Sequence, residues 1–396
     1  MLDSNMDKGF LNNLIEKYQP EYIWLPKDSK MPNLDEALYE AMGYSLFCIS
    51  KYRKYELHKD LALLLTTSGS TGSPKFVKLT YQNIFSNASS ISKYLEINNC
   101  EKAITLLPMH YSFGLSIINS HIVNGATILL TDKSLMEREF WQFLQRYKAT
   151  SLSGVPYSFE ILNKLNFFKM NLPYLKTITQ AGGRLSDKLR EKFSKFCLAN
   201  GKKFFIMYGQ TEATARMSYL PPEYTLSKTG SIGLAIPGGE FSIVEEGGGI
   251  IKTPETVGEL VYQGENVSMG YATGISSLKQ GDENQGVLAT GDLAKVDKEG
   301  FYYIVGRRNR FVKIFGNRVN LDEVEHLVRD IASECACVSV EDKLHIYITD
   351  IHAIDKVKAF VSSKIGIHFT GFKVKYIDEI PKSSSGKVNY IGLKVL

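Results

Sequence analysis

Tryptophan occurs twice, proline twelve times and cysteine five times in 396 residues, and each scarcity excludes something. Cys48, Cys100, Cys197, Cys335 and Cys337 are odd in number and scattered, so no disulfide framework can be read from them. Cys335-Ala336-Cys337 lacks a second ligand pair at zinc spacing, and both thiols read as core or strand residues. Long apolar runs are missing as well. No stretch approaches the ~18 residues of a membrane span. Asp3, Asp7, Lys8 and Glu16 interrupt every apolar run near the start, so nothing there resembles a signal peptide. A cytoplasmic protein is the expectation. The net charge of +5 arises from lysines dispersed among acids, with no basic stripe interleaved with aromatics. Nucleic acid is therefore not an expected partner. What remains is ordinary for a globular enzyme: 44% hydrophobic and 22% charged residues, enough chain for two or three domains.

The most informative stretch is Thr66-Thr67-Ser68-Gly69-Ser70-Thr71-Gly72-Ser73-Pro74-Lys75. Apolar Leu61–Leu65 precedes it and alternating Phe76–Thr80 follows, which predicts strand, turn, strand. Six hydroxyls, closely approachable glycine amides and one lysine make a cradle for phosphate oxygens. It is not the common phosphate loop, because Pro74 stands where the second glycine of that pattern belongs. Taken alone, the stretch could equally be a solvated polar turn.

Apolar strands alternate with amphipathic helices from Thr80 to Tyr208, which predicts a layered, largely parallel α/β sheet. Thr80 is the expected cap of a helix running to about Leu95, and Asn200-Gly201 the expected close of another. Strands are expected at 104–108, 126–130, 151–154, 174–179 and 204–208, each leading into a polar or glycine-rich turn. From about 225 to 305, glycine turns and short alternating strands predict an antiparallel β subdomain. Gly306-Arg307-Arg308-Asn309-Arg310, free of apolar side chains, reads as a linker into a small α+β domain. The domains predicted are thus 1–305, with a short first subdomain, and 306–396.

Four features stand in order: the hydroxyl-rich loop, Tyr208-Gly209-Gln210-Thr211-Glu212, Thr290-Gly291-Asp292 with Gly306-Arg307, and Pro381-Lys382-Ser383-Ser384-Ser385-Gly386-Lys387. From about residue 60 to the end, the chain resembles the adenylate-forming superfamily of acyl-CoA synthetases, peptide-synthetase adenylation domains and luciferases. The resemblance implies an α/β fold: a large N-terminal domain of layered α/β subdomains, a small β-barrel-like subdomain, and a mobile α+β C-terminal domain. It implies a reaction in which ATP activates a carboxylic acid to acyl-AMP with loss of pyrophosphate. A thiol of CoA or of a phosphopantetheine-bearing acyl carrier protein then takes the acyl group.

The implied roles fall on particular residues. Thr67, Ser68, Gly69, Ser70, Thr71, Gly72 and Lys75 would grip the β- and γ-phosphates. Thr211 would touch the α-phosphate and Glu212 would hold Mg²⁺. Ala181, Gly182 and Gly183 would form the adenine turn, with Tyr208, Gly209 and Gln210 beside the ring. Asp292 would bind the ribose hydroxyls, with Arg307 nearby. Lys387 would bridge the acid and the α-phosphate, which makes it the main catalytic residue with Thr211 and Glu212. His110 would wall the acyl pocket, with Val155, Pro156 and Gly183 near it. Lys313 and Gly316 would line the thiol tunnel, and Asn309 stands at the hinge where relatives mostly carry Asp or Lys. No aspartate lies between Pro108 and Gly114, which favours an acid other than an α-amino acid. About sixty residues precede the hydroxyl-rich loop, far fewer than in relatives. That leaves open a carrier-protein surface or a homodimer. Two alternatives stay open: a ligase that stops at acyl-AMP, and a non-catalytic adenylate-binding protein.

Overall fold

Strand Lys203–Tyr208 shows how the sequence builds a sheet with two different faces. Phe205 and Met207 enter one buried cluster, and Phe204 and Ile206 the other. In the neighbouring strands Ser151–Gly154 and Thr177–Gln180, Leu152 and Ile178 join the second cluster. Their alternate residues Ser151, Ser153, Thr177 and Thr179 present hydroxyls to the opposite face.

The computed structural model describes residues 1–2, 6, 8–27, 36–49, 55–66, 75–308, 310–315, 317–329, 331–332, 334–340, 343–382 and 388–395, without the side chains of Phe311, Lys313, Asn317 and Arg318. Strands Thr127–Leu129, Lys102–Ile104, Ser151–Gly154, Thr177–Gln180 and Lys203–Tyr208 lie side by side and parallel. Helices Tyr81–Leu95 and Ser112–Ile122 pack on one face. Helices Arg138–Arg146, Pro156–Lys164 and Asp187–Ala199 pack on the other, where Phe140, Phe159 and Phe193 are fully buried. The α/β class read from the sequence is the observed one.

Local chemistry sets the helix ends. The Thr80 hydroxyl accepts from the Asn83 amide at 3.0 Å, and the Asn83 side chain accepts from the Thr80 amide at 2.9 Å. This reciprocal cap is the reason a helix starts where the sequence placed one. Helix Asp187–Ala199 closes through Asn200 and Gly201, the latter at φ +62°. The expected strand at 104–108 is Lys102–Ile104 instead. Thr105 turns its hydroxyl to the carbonyls of Leu129 and Thr131, at 3.3 and 3.4 Å, while Pro108 has no amide to extend the ladder.

The antiparallel region is continuous with the parallel one rather than closed on itself. Ser218–Leu220 runs antiparallel to Lys203–Tyr208 and pairs on its other side with Ser231–Ala235. Tyr302–Arg307, Val287–Val296, Gly258–Gly264 and Gly239–Val244 extend it to eleven strands.

Strands Leu61–Thr66 and Phe76–Thr80 form the predicted hairpin, with Thr66 opposite Phe76, and Tyr271–Ala272 adds a third strand. Residues 67–74 lie outside the described ones, so the cradle itself has no structural account. Past Gly306, Val312, Val324, Val328, Ile346, Val357 and Val361 share a core of their own. There Lys343–Ile348 pairs antiparallel with Cys335–Val340 and parallel with Phe372–Tyr376. Cys197, Cys335 and Cys337 are buried, and burial pushes the thiols of Cys197 and Cys335 up to about 12. Among the described residues, no group of three metal-ligating side chains exists and no helix is long and apolar enough to cross a membrane.

Candidate active site

Among the described residues, the turns that leave the carboxyl ends of the parallel strands gather most of those singled out from the sequence. Strand Thr177–Gln180 ends on a buried glutamine whose amide donates to the Gly183 carbonyl at 2.8 Å and the Ala181 carbonyl at 3.3 Å. Gln180 thereby fixes the turn Ala181-Gly182-Gly183. Gly182 adopts φ +82°, and a Cβ there would stand 2.5 Å from the Tyr111 hydroxyl and 3.1 Å from Val155. A side chain at this position is thus excluded by both backbone and space. Pro156 borders Gly183, and a Cβ there would lie 3.2 Å from its ring. His110 is half-buried one residue before Tyr111, so the hydroxyl that reaches the glycine turn is that of Tyr111.

Strand Lys203–Tyr208 delivers the second group. The Tyr208 hydroxyl donates to Asp292 Oδ2 at 2.5 Å, and Gln210 Nε2 donates to the same oxygen at 3.0 Å and to the Thr290 carbonyl at 3.0 Å. Arg307 Nε lies 3.2 Å from Asp292 Oδ1. Asp292, 4% exposed, is thus a buried carboxylate held by three donors, while Arg307 reaches outward. Burial, and then the charge of Asp292, raises the Tyr208 phenol well above its ordinary range, so it remains a donor at any working pH.

Beyond Tyr208 the chain reverses within a few residues. Thr214 and Ala215 take φ +57° and +106°, uncommon values for residues with a Cβ. The reversal lets the Met217 amide pair with the Tyr208 carbonyl at 2.9 Å, and it presses the Ala215 carbonyl where a Cβ of residue 209 would stand. Gly209 is required for that reason. The same turn carries Arg216 inward, to lie 3% exposed with its guanidinium 3.7 Å from the Phe113 ring centre.

Thr211 and Glu212 open the short turn between these features. Thr211 Oγ1 is 3.1 Å from the hydroxyl of buried Ser112, which ties it to the first residue of helix Ser112–Ile122. Glu212 Oε1 accepts from Tyr271 at 2.7 Å. The Lys75 ammonium, at the end of the hydroxyl-rich loop, stands 5.6 Å from the Tyr271 ring centre. Burial, and then Glu212, raises the Tyr271 phenol. Glu212 keeps a second oxygen for a hard cation, and a single carboxylate suits Mg²⁺ that draws its other ligands from phosphate and water.

Besides Thr67 to Gly72, the assigned positions Asn309, Lys313, Gly316 and Lys387 lie outside the described residues or have no described side chain. Lys313 lies in strand Phe311–Ile314. The flanks of the lysine loop are described, and Lys382 and Val388 bridge antiparallel. The Lys382 ammonium sits 2.8 Å from Glu334 and 4.9 Å from the Tyr157 ring centre, and Tyr157 follows Pro156 at the glycine turn. Arg184, next after Gly183, meets His326 at 3.3 Å, a second contact across to the C-terminal segment.

Reading the sequence overlooked Tyr111, Ser112, Gln180, Arg216 and Tyr271. Tyr111 and Ser112 stand inside a motif that was singled out, but which of its side chains faces the site depends on where the following helix begins. Arg216 sits four residues after Glu212, and only the left-handed turn at Thr214-Ala215 shows that it points inward.

Luciferin 4-monooxygenase of Photuris pensylvanica is 28% identical over 86% of this chain and 65% of its own length. The 2-succinylbenzoate–CoA ligase of Listeria monocytogenes is 25% identical over 97% of this chain and 82% of its own. The chain therefore spans about two thirds of the luciferase. Among solved structures, o-succinylbenzoate CoA synthetase of Bacillus subtilis with its acyl-adenylate intermediate superposes with a TM-score of 0.72 at 25% identity, over 85% of this chain and 70% of that one. The same enzyme with ATP and magnesium also gives 0.72, over 86% and 72%. The sequence model of AMP-binding enzymes matches residues 14–272, well over half of the sequence and including Lys75, Gly182, Tyr208 and Glu212. The chain belongs to the family of AMP-binding enzymes.

Proposed function

We propose that the protein is an AMP-forming acid–thiol ligase that activates a carboxylic acid with ATP and passes the acyl group to CoA. The observation that carries this reading is the grouping of Asp292, held by Tyr208, Gln210 and Arg307, with Thr211 and Glu212 a few residues beyond Tyr208. A carboxylate ringed by donors accepts the two hydroxyls of a ribose when those donors give way or share. The glycine turn at 181–183 leaves backbone open to the flat adenine, with Tyr208 at its edge.

In the first step a carboxylate oxygen attacks the α-phosphorus, and the bond to the bridging oxygen breaks so that pyrophosphate leaves. Two anions must meet, so cations and fixed donors must offset their repulsion. Thr67 to Gly72 and Lys75 hold the departing phosphates, Thr211 donates to the α-phosphate, and Lys387 bridges acid and phosphate. Glu212 would hold Mg²⁺, which when bound would neutralise phosphate charge; an enzyme solved with ATP and magnesium is among the structural relatives. The acid lies between Tyr111, Val155, Pro156 and the glycine turn, with His110 adjacent. In the second step the thiol attacks the acyl carbonyl and AMP leaves. The segment from Gly306 onward acts as a lid turning about Asn309, with Lys313 and Gly316 beside the thiol arm.

ATP–pyrophosphate exchange over a panel of acids tests the reading, and exchange should depend on one class of acid. Lys387→Ala should abolish exchange yet largely spare thioester formation from supplied acyl-AMP and CoA. Equal loss in both steps would make the lysine structural. Absence of exchange with every acid would remove the ligase reading altogether. Thioester formed with a carrier protein but not with CoA would change the acceptor alone.

A further inference from the structure

Arg216 is a buried charged group of this region that the proposed chemistry leaves without a task. It is 3% exposed, and its Nε has no hydrogen-bond partner. The Tyr94 hydroxyl and the Phe113 face are its neighbours, and among the described residues no carboxylate pairs with it. An arginine stays protonated even when burial lowers its pKa, so a full positive charge lies in the interior without a counter-ion.

Its position relates it to the acid side of the site. Arg216 lies over the Phe113 ring, whose centre is 6.2 Å from that of Tyr111, and the Tyr111 oxygen abuts Gly182. It also lines a cavity of about 20 Å³ between helix Ser112–Ile122 and the sheet, room for about one water-sized group. Ser116, Ser153, Thr179 and Met207 line the same cavity. Ser153 and Thr179 belong to the two strands whose next residues, Gly154 and Gln180, lead into the site turns. The cavity therefore lies directly beneath the glycine turn, and its sheet wall is hydroxylic rather than apolar. Glu101 lines its far end, so an anion would settle at the Arg216 end.

We infer that Arg216 receives a second carboxylate on the acid substrate, so that the ligase is selective for a dicarboxylic acid activated at one end. The unpaired Nε supplies one arm of the planar fork that arginine offers a carboxylate. The small space beside it, walled by hydroxyls of the sheet and by Ile91, Leu95 and Ile117 of the helices, has no room for an alkyl chain or ring. Arg216 recognises the substrate and takes no part in bond making. This inference rests on the ligase reading above.

The test uses the full chain in ATP–pyrophosphate exchange with matched acids: malonate against propionate, succinate against butyrate, glutarate against pentanoate, phthalate against benzoate. In the best pair, wild type should favour the dicarboxylate in kcat/KM by about 100-fold or more, the margin typical of a site whose buried polar group is left unpaired by the wrong substrate. Arg216→Met should bring that ratio to within about threefold while the monocarboxylate rate holds or rises. Arg216→Lys keeps the charge and should retain a reduced preference, which guards against a methionine variant that fails to fold. Wild-type exchange confined to monocarboxylates would overturn the inference and leave the ligase standing. So would equal loss on both acids in Arg216→Met or Arg216→Lys. Exchange with no acid at all would overturn the ligase reading and this inference with it.

Discussion

Asp292 and Arg216 are buried to the same degree, 4% and 3% exposed, yet the protein treats the two charges in opposite ways. Asp292 is met by a phenol, an amide and a guanidinium, so its charge is compensated before any ligand arrives. Arg216 meets an aromatic face and a tyrosine and keeps one nitrogen unpaired. A compensated carboxylate binds by exchanging partners, which gives a rigid receptor with a modest gain per contact. An uncompensated cation carries a standing desolvation cost that only an anion relieves, which makes it selective rather than merely adhesive. On this view the nucleotide side is built for a constant ligand and the acid side for discrimination.

The largest effect that could break this contrast comes from Asp292→Ala. Removing the carboxylate would forfeit the two charge-assisted bonds proposed for the ribose, about 3 kcal/mol together. ATP kcat/KM should fall about 100-fold while the KM for the acid stays within about threefold. Exchange kinetics with each substrate varied in turn read both quantities. A parallel rise in the acid KM would show that the two sides are one network. Thermal unfolding of the same variant shows whether the freed Tyr208 and Gln210 cost stability.

Gly182→Ala probes the boundary from the acid side with a smaller expected effect. The added methyl points at the Tyr111 hydroxyl and Val155, and φ +82° costs alanine about 1–2 kcal/mol. The acid KM should rise about tenfold and the ATP KM by less than about threefold. The same turn carries the adenine in the proposed site, but through its backbone, so an ATP KM that rises more than the acid KM would show that the side-chain direction at Gly182 does not separate the two ligands.

Much of the architecture was legible because it rests on local chemistry. Thr80 announced a helix start, Asn200-Gly201 a helix end, and Leu61–Leu65 with Phe76–Thr80 a hairpin. The order of Tyr208, Glu212 and Asp292 along the chain was readable too, but not that one phenol and one amide converge on a single carboxylate oxygen. Helix Ser112–Ile122 escaped notice because Gly114, three serines and a run of isoleucines weaken any helical signal, and packing on helix Tyr81–Leu95 supplies what propensity does not. Arg216 was hidden for a different reason. Nothing in Ala213-Thr214-Ala215-Arg216 marks two left-handed residues, since Thr and Ala are poor choices for them, and tertiary contacts hold the turn. Features set by long-range geometry are thus where the site holds more than its motifs.

The smallest effect concerns Glu212, which lies where the two sides meet. Tyr271, on the strand beside Phe76–Thr80, holds Oε1 of Glu212 at 2.7 Å and so fixes the carboxylate proposed for Mg²⁺. Tyr271→Phe frees that side chain to sample other rotamers at a cost of about 0.5–1 kcal/mol, so the Mg²⁺ needed for half-maximal exchange should rise about threefold. The pH dependence fixes the sign of a second expectation. The folded pKa of Tyr271 is raised, so its contribution to stability is complete below the unfolded value of about 10 and disappears only as pH climbs through the higher folded value. Wild type and Tyr271→Phe should therefore share one pH–rate profile from about pH 7 to 10 and differ only in Mg²⁺ demand. An alkaline limb present in wild type and absent from the variant would mean that Tyr271 ionises in the working range. Glu212 would then face a second negative charge, and the metal role proposed for it would pass to another group.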